Sequence, residues 1–180
     1  LATGINEDEK QKLFNVCVSA MEKMNYIGVG TLEFLYDRGN FFFMEMNTRL
    51  QVEHPITEML TRIDLVREQI CVAANEKIIF NQEAIRPLGH SIECRINAEN
   101  SKNLKPSAGT IELYHPPAGN GIRLDTFIYS GYRVPHYYDN LLAKLIVTGR
   151  TRNHAIKRAL RALNEIIIDG IDTNIDLHKK

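Results

Sequence analysis

Two short runs rich in apolar and aromatic residues, 31–36 and 41–46, are separated only by Asp37-Arg38-Gly39-Asn40. Runs of this composition around a glycine-bearing turn read as an antiparallel β-hairpin. Side chains alternate faces along a strand, so Glu45 and Asn47 share one face. Whether Glu33 joins them depends on the turn. A three-residue loop puts Glu33 on the face of Glu45, opposite or diagonal to it, whereas a two-residue loop puts it on the other face. Gly39 suits the left-handed position of a three-residue bulged loop, which favours the shared face. Two carboxylates and an amide oxygen are hard ligands of the kind that hold Mg²⁺ or Mn²⁺. Phe34, Leu35, Phe42, Phe43, Met44 and Met46 predict that the hairpin is largely buried, where an acid pair needs a counter-ion. A hairpin whose polar face lies in solvent is the alternative.

The hairpin runs into Asn47-Thr48-Arg49-Leu50-Gln51-Val52-Glu53-His54. The segment just after a strand is a common place for chemistry. Arg49 can fork onto a small planar oxyanion, and Glu53 beside it can serve as a general base. A loop of solvated salt bridges fits the same residues. His54-Pro55 closes the run, and Thr57 or Thr61 is expected to open the next helix. Further on, Glu93, Arg95 and Asn97 alternate with Ile92, Cys94 and Ile96, which places the three polar residues on one face of a strand. Arg95 is expected between Glu93 and Glu99; a plain salt bridge is the simpler reading.

The rest of the chain supplies the frame. Asn6 can cap a helix whose first turn is acidic and whose apolar positions include Leu13, Val16, Cys17, Ala20 and Met21. A second helix is expected over 64–74, capped near Thr61 or Asp64, and 81–89 reads as a linker. Short strands follow at 90–97, 109–114, 121–127 and 141–147. Residues 151–167 form an amphipathic helix with Ala155, Ile156, Ala159, Leu160, Leu163 and Ile167 on one stripe, ended by Asp169-Gly170.

Composition narrows the class. Of 180 residues, 44% are hydrophobic, and Lys+Arg and Asp+Glu number 22 each. That balance shows none of the basic excess usual in a nucleic-acid binder, and no apolar run approaches the length of a membrane span. The three cysteines, Cys17, Cys71 and Cys94, are far apart and sit among apolar residues, as buried free thiols in the cytoplasm would. The chain starts at Leu1, beside a helix-opening sequence, and is expected to be cut or processed from a larger protein.

Glu45-Met46-Asn47-Thr48-Arg49-Leu50-Gln51-Val52-Glu53-His54-Pro55-Ile56-Thr57-Glu58 resembles the signature of biotin carboxylases, the ATP-grasp components of acetyl-CoA, propionyl-CoA, methylcrotonyl-CoA and pyruvate carboxylases. Glu93-Cys94-Arg95-Ile96-Asn97-Ala98-Glu99 resembles the opening of that family's C-terminal domain. Ile168-Asp169-Gly170-Ile171-Asp172-Thr173-Asn174 resembles its late signature, and looks closest to the bacterial acetyl-CoA carboxylase subunit. The resemblance implies an α+β chain: 1–86 as the C-terminal half of an ATP-grasp domain, an antiparallel sheet with helices, and 87–180 as the biotin carboxylase C-terminal domain.

The family's reaction is the MgATP-dependent carboxylation of biotin by bicarbonate through carboxyphosphate, the biotin being borne on a carrier protein. By resemblance, Glu33, Glu45 and Asn47 hold two Mg²⁺ or Mn²⁺ ions, with Glu33, Glu45 and Leu35 also at the ATP. Arg49, Gln51 and the backbone N–H of Val52 cradle bicarbonate, and Glu53 deprotonates it. Arg95 stabilises the biotin enolate oxygen and touches bicarbonate. Arg123 falls in a region used for dimer contacts, surface exposure being its other reading, and Tyr138-Asp139 has no assigned role. Implied partners are a second subunit, the biotin carboxyl carrier protein and the carboxyltransferase. The resemblance also implies an N-terminal domain and an ATP lid that these residues lack, so by themselves they are expected neither to hydrolyse ATP nor to carboxylate biotin. Gly28-Val29-Gly30 precedes a strand instead of opening a helix, and is no phosphate loop. Another ATP-grasp ligase, such as a carbamoyl-phosphate synthetase or a purine-pathway carboxylase, would share the acids but not the 49–54 run with the Arg95 strand. A non-catalytic dimerisation module is the remaining alternative.

Overall fold

The computed structural model describes residues 4–180; Leu1, on which the reading of a cut chain rests, lies outside them. The chain forms two compact units. One comprises the chain up to His54 with Arg62–Ile85, and the other comprises Pro55–Thr61 with Arg86–Lys180.

The first unit opens with helix α1 (Glu7–Lys23). Asn6 and Glu9 form a reciprocal capping box, each side chain accepting from the other's backbone N–H. Strands β1 (Thr31–Asp37) and β2 (Asn40–Asn47) form the expected hairpin. A Cβ at Gly30 would meet the Met46 methyl and come within 3.3 Å of the Asn47 carbonyl, so a side chain there requires Met46 to shift. The loop corrects the expectation of three residues. Asp37 pairs with Asn40, so only Arg38 and Gly39 turn, both left-handed (φ 47° and 87°) as the favoured two-residue hairpin turn requires.

Helix α2 (His54–Thr61) begins at His54 with Pro55 in its first turn, so neither Thr57 nor Thr61 opens it. Proline already has the helical φ and lacks an N–H that would go unbonded there. Helix α3 (Leu65–Ala73) is capped by Asp64, whose carboxylate accepts from the Arg67 N–H at 2.8 Å.

The second unit is built on a three-stranded antiparallel sheet, ordered β3 (His90–Asn97), β8 (Leu141–Gly149) and β6 (Ile122–Thr126). Central β8 is nearly all apolar, and Leu142, Ala143, Leu145, Ile146 and Val147 are buried. Helix α4 (Arg152–Glu165), capped by Thr151, buries Ala155, Ala159, Ala162 and Leu163. Ile156 and Leu160, expected on that stripe, lie at its rim and are exposed. The helix stops before the expected 167: Ile167–Asp169 is strand β9, paired with β5 (Leu113–His115). Gly170, left-handed at φ 97° and pressed against the Thr110 carbonyl, ends that strand and not the helix.

The single strand expected over 109–114 is two, β4 (Gly109–Thr110) and β5. β4 pairs with β7 (Arg133–Val134). Ile111 still exchanges bonds with Gly131 and Tyr132, whereas the Glu112 N–H turns to the Asp169 carbonyl, so the chain changes partners between them. Helix α5 (Ile175–His178) closes the chain. Among the described residues no helix is long and apolar enough to cross a membrane. All three cysteines are free; Cys94 is buried, but Cys17 and Cys71 are only partly covered, against the expectation that all are buried.

Candidate active site

Glu33 and Glu45 face each other in the β1–β2 ladder. A two-residue turn alone would have set them on opposite faces. Near the turn the register is Asp37↔Asn40, Tyr36↔Phe41, Leu35↔Phe42 and Phe34↔Phe43, and beyond it Glu33↔Glu45, Leu32↔Met46 and Thr31↔Asn47. Met44 is the unpaired extra residue of a β-bulge, and it shifts the alternation of β2 by one. The shared face expected from the sequence is therefore present, through the bulge instead of the loop.

The polar groups converge at close range. The Asn47 side-chain amide donates to Glu33 Oε1 at 2.9 Å and to Glu45 Oε1 at 3.2 Å. Gln51 Nε2 donates to the same Glu33 oxygen at 2.6 Å. Two amides thus offset part of the repulsion between the carboxylates. Leu35 and Phe42 continue this face toward the turn, and both are exposed; Leu35 keeps 59% of its surface. Phe43 and Met44 are exposed as well, so the expectation of a largely buried hairpin does not hold for these 180 residues. Phe43 packs edge-on against Phe34, with ring centroids 5.7 Å apart, and still keeps 60% of its surface exposed.

The donor set fits a hard divalent cation. Mg²⁺ commonly takes one or two protein carboxylates and completes its shell with water and phosphate oxygens. A half-turn of the Asn47 amide exchanges its NH₂ for Oδ1 and presents a third oxygen between the two acids. Among the described residues no cluster of three or more His, Cys, Asp or Glu is placed to hold a metal. With its amide so turned, Asn47 would join Glu33 and Glu45 as three oxygens at the sequence-expected positions.

The following run turns sharply. His54 closes on the Gln51 carbonyl through its backbone N–H (3.2 Å) and through Nδ1 (2.9 Å). That turn exposes Arg49, Val52 and Glu53. The Arg49 guanidinium donates to the Leu50 carbonyl at 3.1 Å.

In the second unit, Cys94 and Ile96 are buried while Arg95 is exposed, as the alternation requires. Arg95 Nε lies 3.6 Å from Glu93 Oε1, and the Glu93 side chain keeps only 4% of its surface. Glu99, expected as a second neighbour of Arg95, instead accepts from Asn140 (3.1 Å) and Asn174 (3.1 Å). Arg123 forks onto Asp125 at 2.7 and 2.9 Å and reaches Glu58 at 2.7 Å, so its donors are engaged within the unit. Bonding to Asp125 holds its pKa still higher than usual. Asp139 accepts from the Leu141 N–H, and Tyr138 is exposed. The residue that sequence reading passed over is Asn174, buried and bonded to the Arg95 strand; its place in the late signature was the available signal.

Residues 93–180 match the family model "Biotin carboxylase C-terminal domain", and residues 2–80 match "Carbamoyl-phosphate synthase L chain, ATP binding domain". The biotin carboxylase of Haemophilus influenzae is 52% identical over 178 residues, which are 99% of this chain and 40% of that protein. The solved biotin carboxylase–β,γ-ATP complex of Campylobacter jejuni superposes with a TM-score of 0.95 at 44% identity, covering 99% of this chain and 40% of that one. The biotin carboxylase domain of the Hydrogenobacter thermophilus 2-oxoglutarate carboxylase, solved with MgADP, ADP and bicarbonate, gives a TM-score of 0.93 at 45% identity. It covers 97% of this chain and 39% of that one. This chain spans 33–40% of the length of curated relatives it matches. With both family models in chain order and near 50% identity along nearly its whole length, the chain belongs to the biotin carboxylase family.

Proposed function

We propose that this chain is the C-terminal part of an enzyme that carboxylates carrier-borne biotin with bicarbonate and MgATP, in the acetyl-CoA carboxylase of fatty acid synthesis. Residues 1–86 supply the back half of its ATP-grasp domain and 87–180 its C-terminal domain. The observation that carries this reading is the opposition of Glu33 and Glu45 with the Asn47 amide between them. A bound Mg²⁺ or Mn²⁺ supplies neutralisation of phosphate charge there. Glu33, Glu45 and Asn47 hold the ions, and Leu35, exposed on the same face, offers the nucleotide an apolar surface.

Arg49, Gln51 and the Val52 N–H bind and orient bicarbonate, and Glu53 removes its proton. The bicarbonate oxygen then displaces ADP from the γ-phosphorus, giving carboxyphosphate, which separates into CO₂ and phosphate. The phosphate takes the ureido proton, and the biotin enolate attacks CO₂. Arg95 fixes the enolate oxygen. A guanidinium aimed at charge that develops during the reaction stabilises the transition state more than the ground state. Three free cysteines suit a cytoplasmic, reducing location. The working form is a homodimer that meets the carrier protein and a carboxyltransferase.

In the full-length polypeptide, Arg95→Ala is expected to slow biotin-dependent ATP cleavage at least tenfold, ~1.4 kcal/mol, with the KM for ATP little changed. A collapse of ATP affinity with turnover preserved at saturation would refute the role. A second reading keeps the half-reaction and changes the acceptor. The likeness to the biotin carboxylase domain of a 2-oxoglutarate carboxylase favours a keto-acid carboxylase. Assay of carboxyl transfer to acetyl-CoA against 2-oxoglutarate and pyruvate separates the two.

A further inference from the structure

Asn174 is the buried polar residue of the second unit, with 4% of its surface exposed, and its bonds converge on the strand that carries Arg95. Strand β3 lies at the edge of its sheet, with β8 on one side only. On its open side Asn174 takes the place of a neighbouring strand. Its Oδ1 accepts from the Asn97 N–H at 2.9 Å, and its Nδ2 donates to the Arg95 carbonyl at 3.0 Å. Its own N–H donates to the Asn97 carbonyl at 3.2 Å. The side-chain amide thus repeats the donor–acceptor pair of a peptide group, and the backbone on either side of the Arg95–Asn97 segment is fixed as in a ladder.

Two further contacts secure this arrangement. Nδ2 also reaches Glu99 Oε1 at 3.1 Å, and Glu99 is held by Asn140 at the start of β8. His178 Nε2 lies 2.8 Å from the Arg95 carbonyl, which can only accept, so Nε2 carries the proton. The Arg95 carbonyl therefore receives two side-chain donors, both from the last seven residues of the chain. The half-exposed Arg95 side chain takes its direction from Glu93, 3.6 Å from its Nε, and from the backbone that carries both residues, and Asn174 and His178 tie that backbone at the Arg95 carbonyl.

We infer that Asn174, assisted by His178, is a positioning residue for Arg95: it locks the 95–97 backbone at the sheet edge so that the guanidinium is held in its working direction. The inference rests on the role of Arg95 given above. A buried amide that satisfies three partners is also structural, so the test must separate alignment from stability. In the full-length polypeptide, Asn174→Ala is expected to lower biotin-dependent kcat by about 10–100-fold, the scale of an ångström-level misplacement, with the KM for ATP unchanged. In an Arg95→Ala background the same change is expected to cost nothing further, since the group it aligns is gone. Ile175→Ala, which truncates a buried neighbour without touching these bonds, lowers thermal stability and leaves kcat in place. His178→Phe, at the periphery, gives a smaller loss of the same kind and serves if Asn174→Ala does not fold.

Independent, multiplicative losses in the double variant would overturn the inference, as would an equal kcat loss in Ile175→Ala. So would unchanged kcat in Asn174→Ala, or in His178→Phe where that variant replaces it. If Arg95→Ala alone leaves turnover intact, the role of Arg95 falls and this inference with it. If Arg95→Ala is slow and the losses multiply, only the alignment role falls.

Discussion

Glu33 and Glu45 stand directly opposite each other because Met44 is an extra residue in its strand, so two like charges share a cross-strand pair. Such pairs oppose folding. The amides of Asn47 and Gln51 reduce the cost but carry no positive charge. Glu45→Gln keeps the acceptor used by Asn47 and removes one charge. In metal-free buffer it is expected to raise the Tm of the full-length polypeptide by about 1–2 °C. It should weaken Mn²⁺ binding, followed by electron paramagnetic resonance, by about tenfold, ~1.4 kcal/mol. Opposite signs in the two measurements identify a charge pair kept for a cation. A Tm and a metal affinity that fall together would point to a purely structural role.

The bulge itself makes a second prediction. Near the turn, paired residue numbers follow Phe34↔Phe43; past the bulge they follow Glu33↔Glu45. Deleting Met44 removes the offset, so the old Glu45 becomes the next partner in an unbroken ladder and still faces Glu33. The deletion is therefore expected to keep Mn²⁺ binding within about threefold, ~0.6 kcal/mol, while reducing the local twist. Loss of binding on the scale of Glu45→Gln would show that the bulge sets the aim of the carboxylates and not only their face.

The hairpin shows how sequence and structure divide the work. Alternation in 31–36 and 45–47 was legible, because a period of two follows from backbone geometry. The bulge was not: Phe42-Phe43-Met44 is apolar throughout, and no change of residue type marks where the register slips. The end of α4 was hidden for a related reason. Ile166 and Ile167 would extend the helical stripe of Ala159 and Leu163, and only the pairing of Ile167 with His115 and Ile168 with Tyr114 decides that the chain leaves the helix. Arg95 could be read from alternation with buried Cys94 and Ile96, whereas Asn174, 79 residues away, is joined to it by tertiary contact alone. Burial of the hairpin was inferred from its side chains, yet in this chain Leu35, Phe42 and Phe43 remain exposed.

Exposed and buried leucines should accordingly behave in opposite ways. Leu145 is 0% exposed at the centre of β8, among Cys94, Leu124 and the α4 alanines. Leu145→Ala is expected to cost about 3–5 kcal/mol, from lost transfer energy and the cavity left behind. Leu35→Ala should cost under about 1 kcal/mol and act instead on nucleotide affinity, raising the KM for ATP. Urea denaturation and steady-state kinetics on the two variants check this. A large stability loss in Leu35→Ala with unchanged KM would remove Leu35 from the nucleotide face.

Cysteine reactivity gives a readout of the second unit's core. Burial pushes the Cys94 thiol above its ordinary pKa, with nearby Glu93 adding to the shift. The attacking species is the thiolate, so Cys94 is expected to resist iodoacetamide at pH 8 in the folded protein and to react on unfolding. Cys17 and Cys71, only partly covered, should be labelled first, though more slowly than a free thiol because their pKa values are also raised. The sign for stability follows from linkage. Below the ordinary thiol range Cys94 is protonated whether folded or unfolded, and it adds no pH dependence. As pH rises through that range the unfolded chain loses the proton while the folded chain keeps it, so stability falls. Cys94→Ala should flatten this alkaline decline in a pH series of urea midpoints, and peptide mass spectrometry after timed labelling assigns the order of reaction. Labelling of Cys94 ahead of Cys17 in native buffer would mean that the β3–β8–α4 core opens more readily than its packing implies.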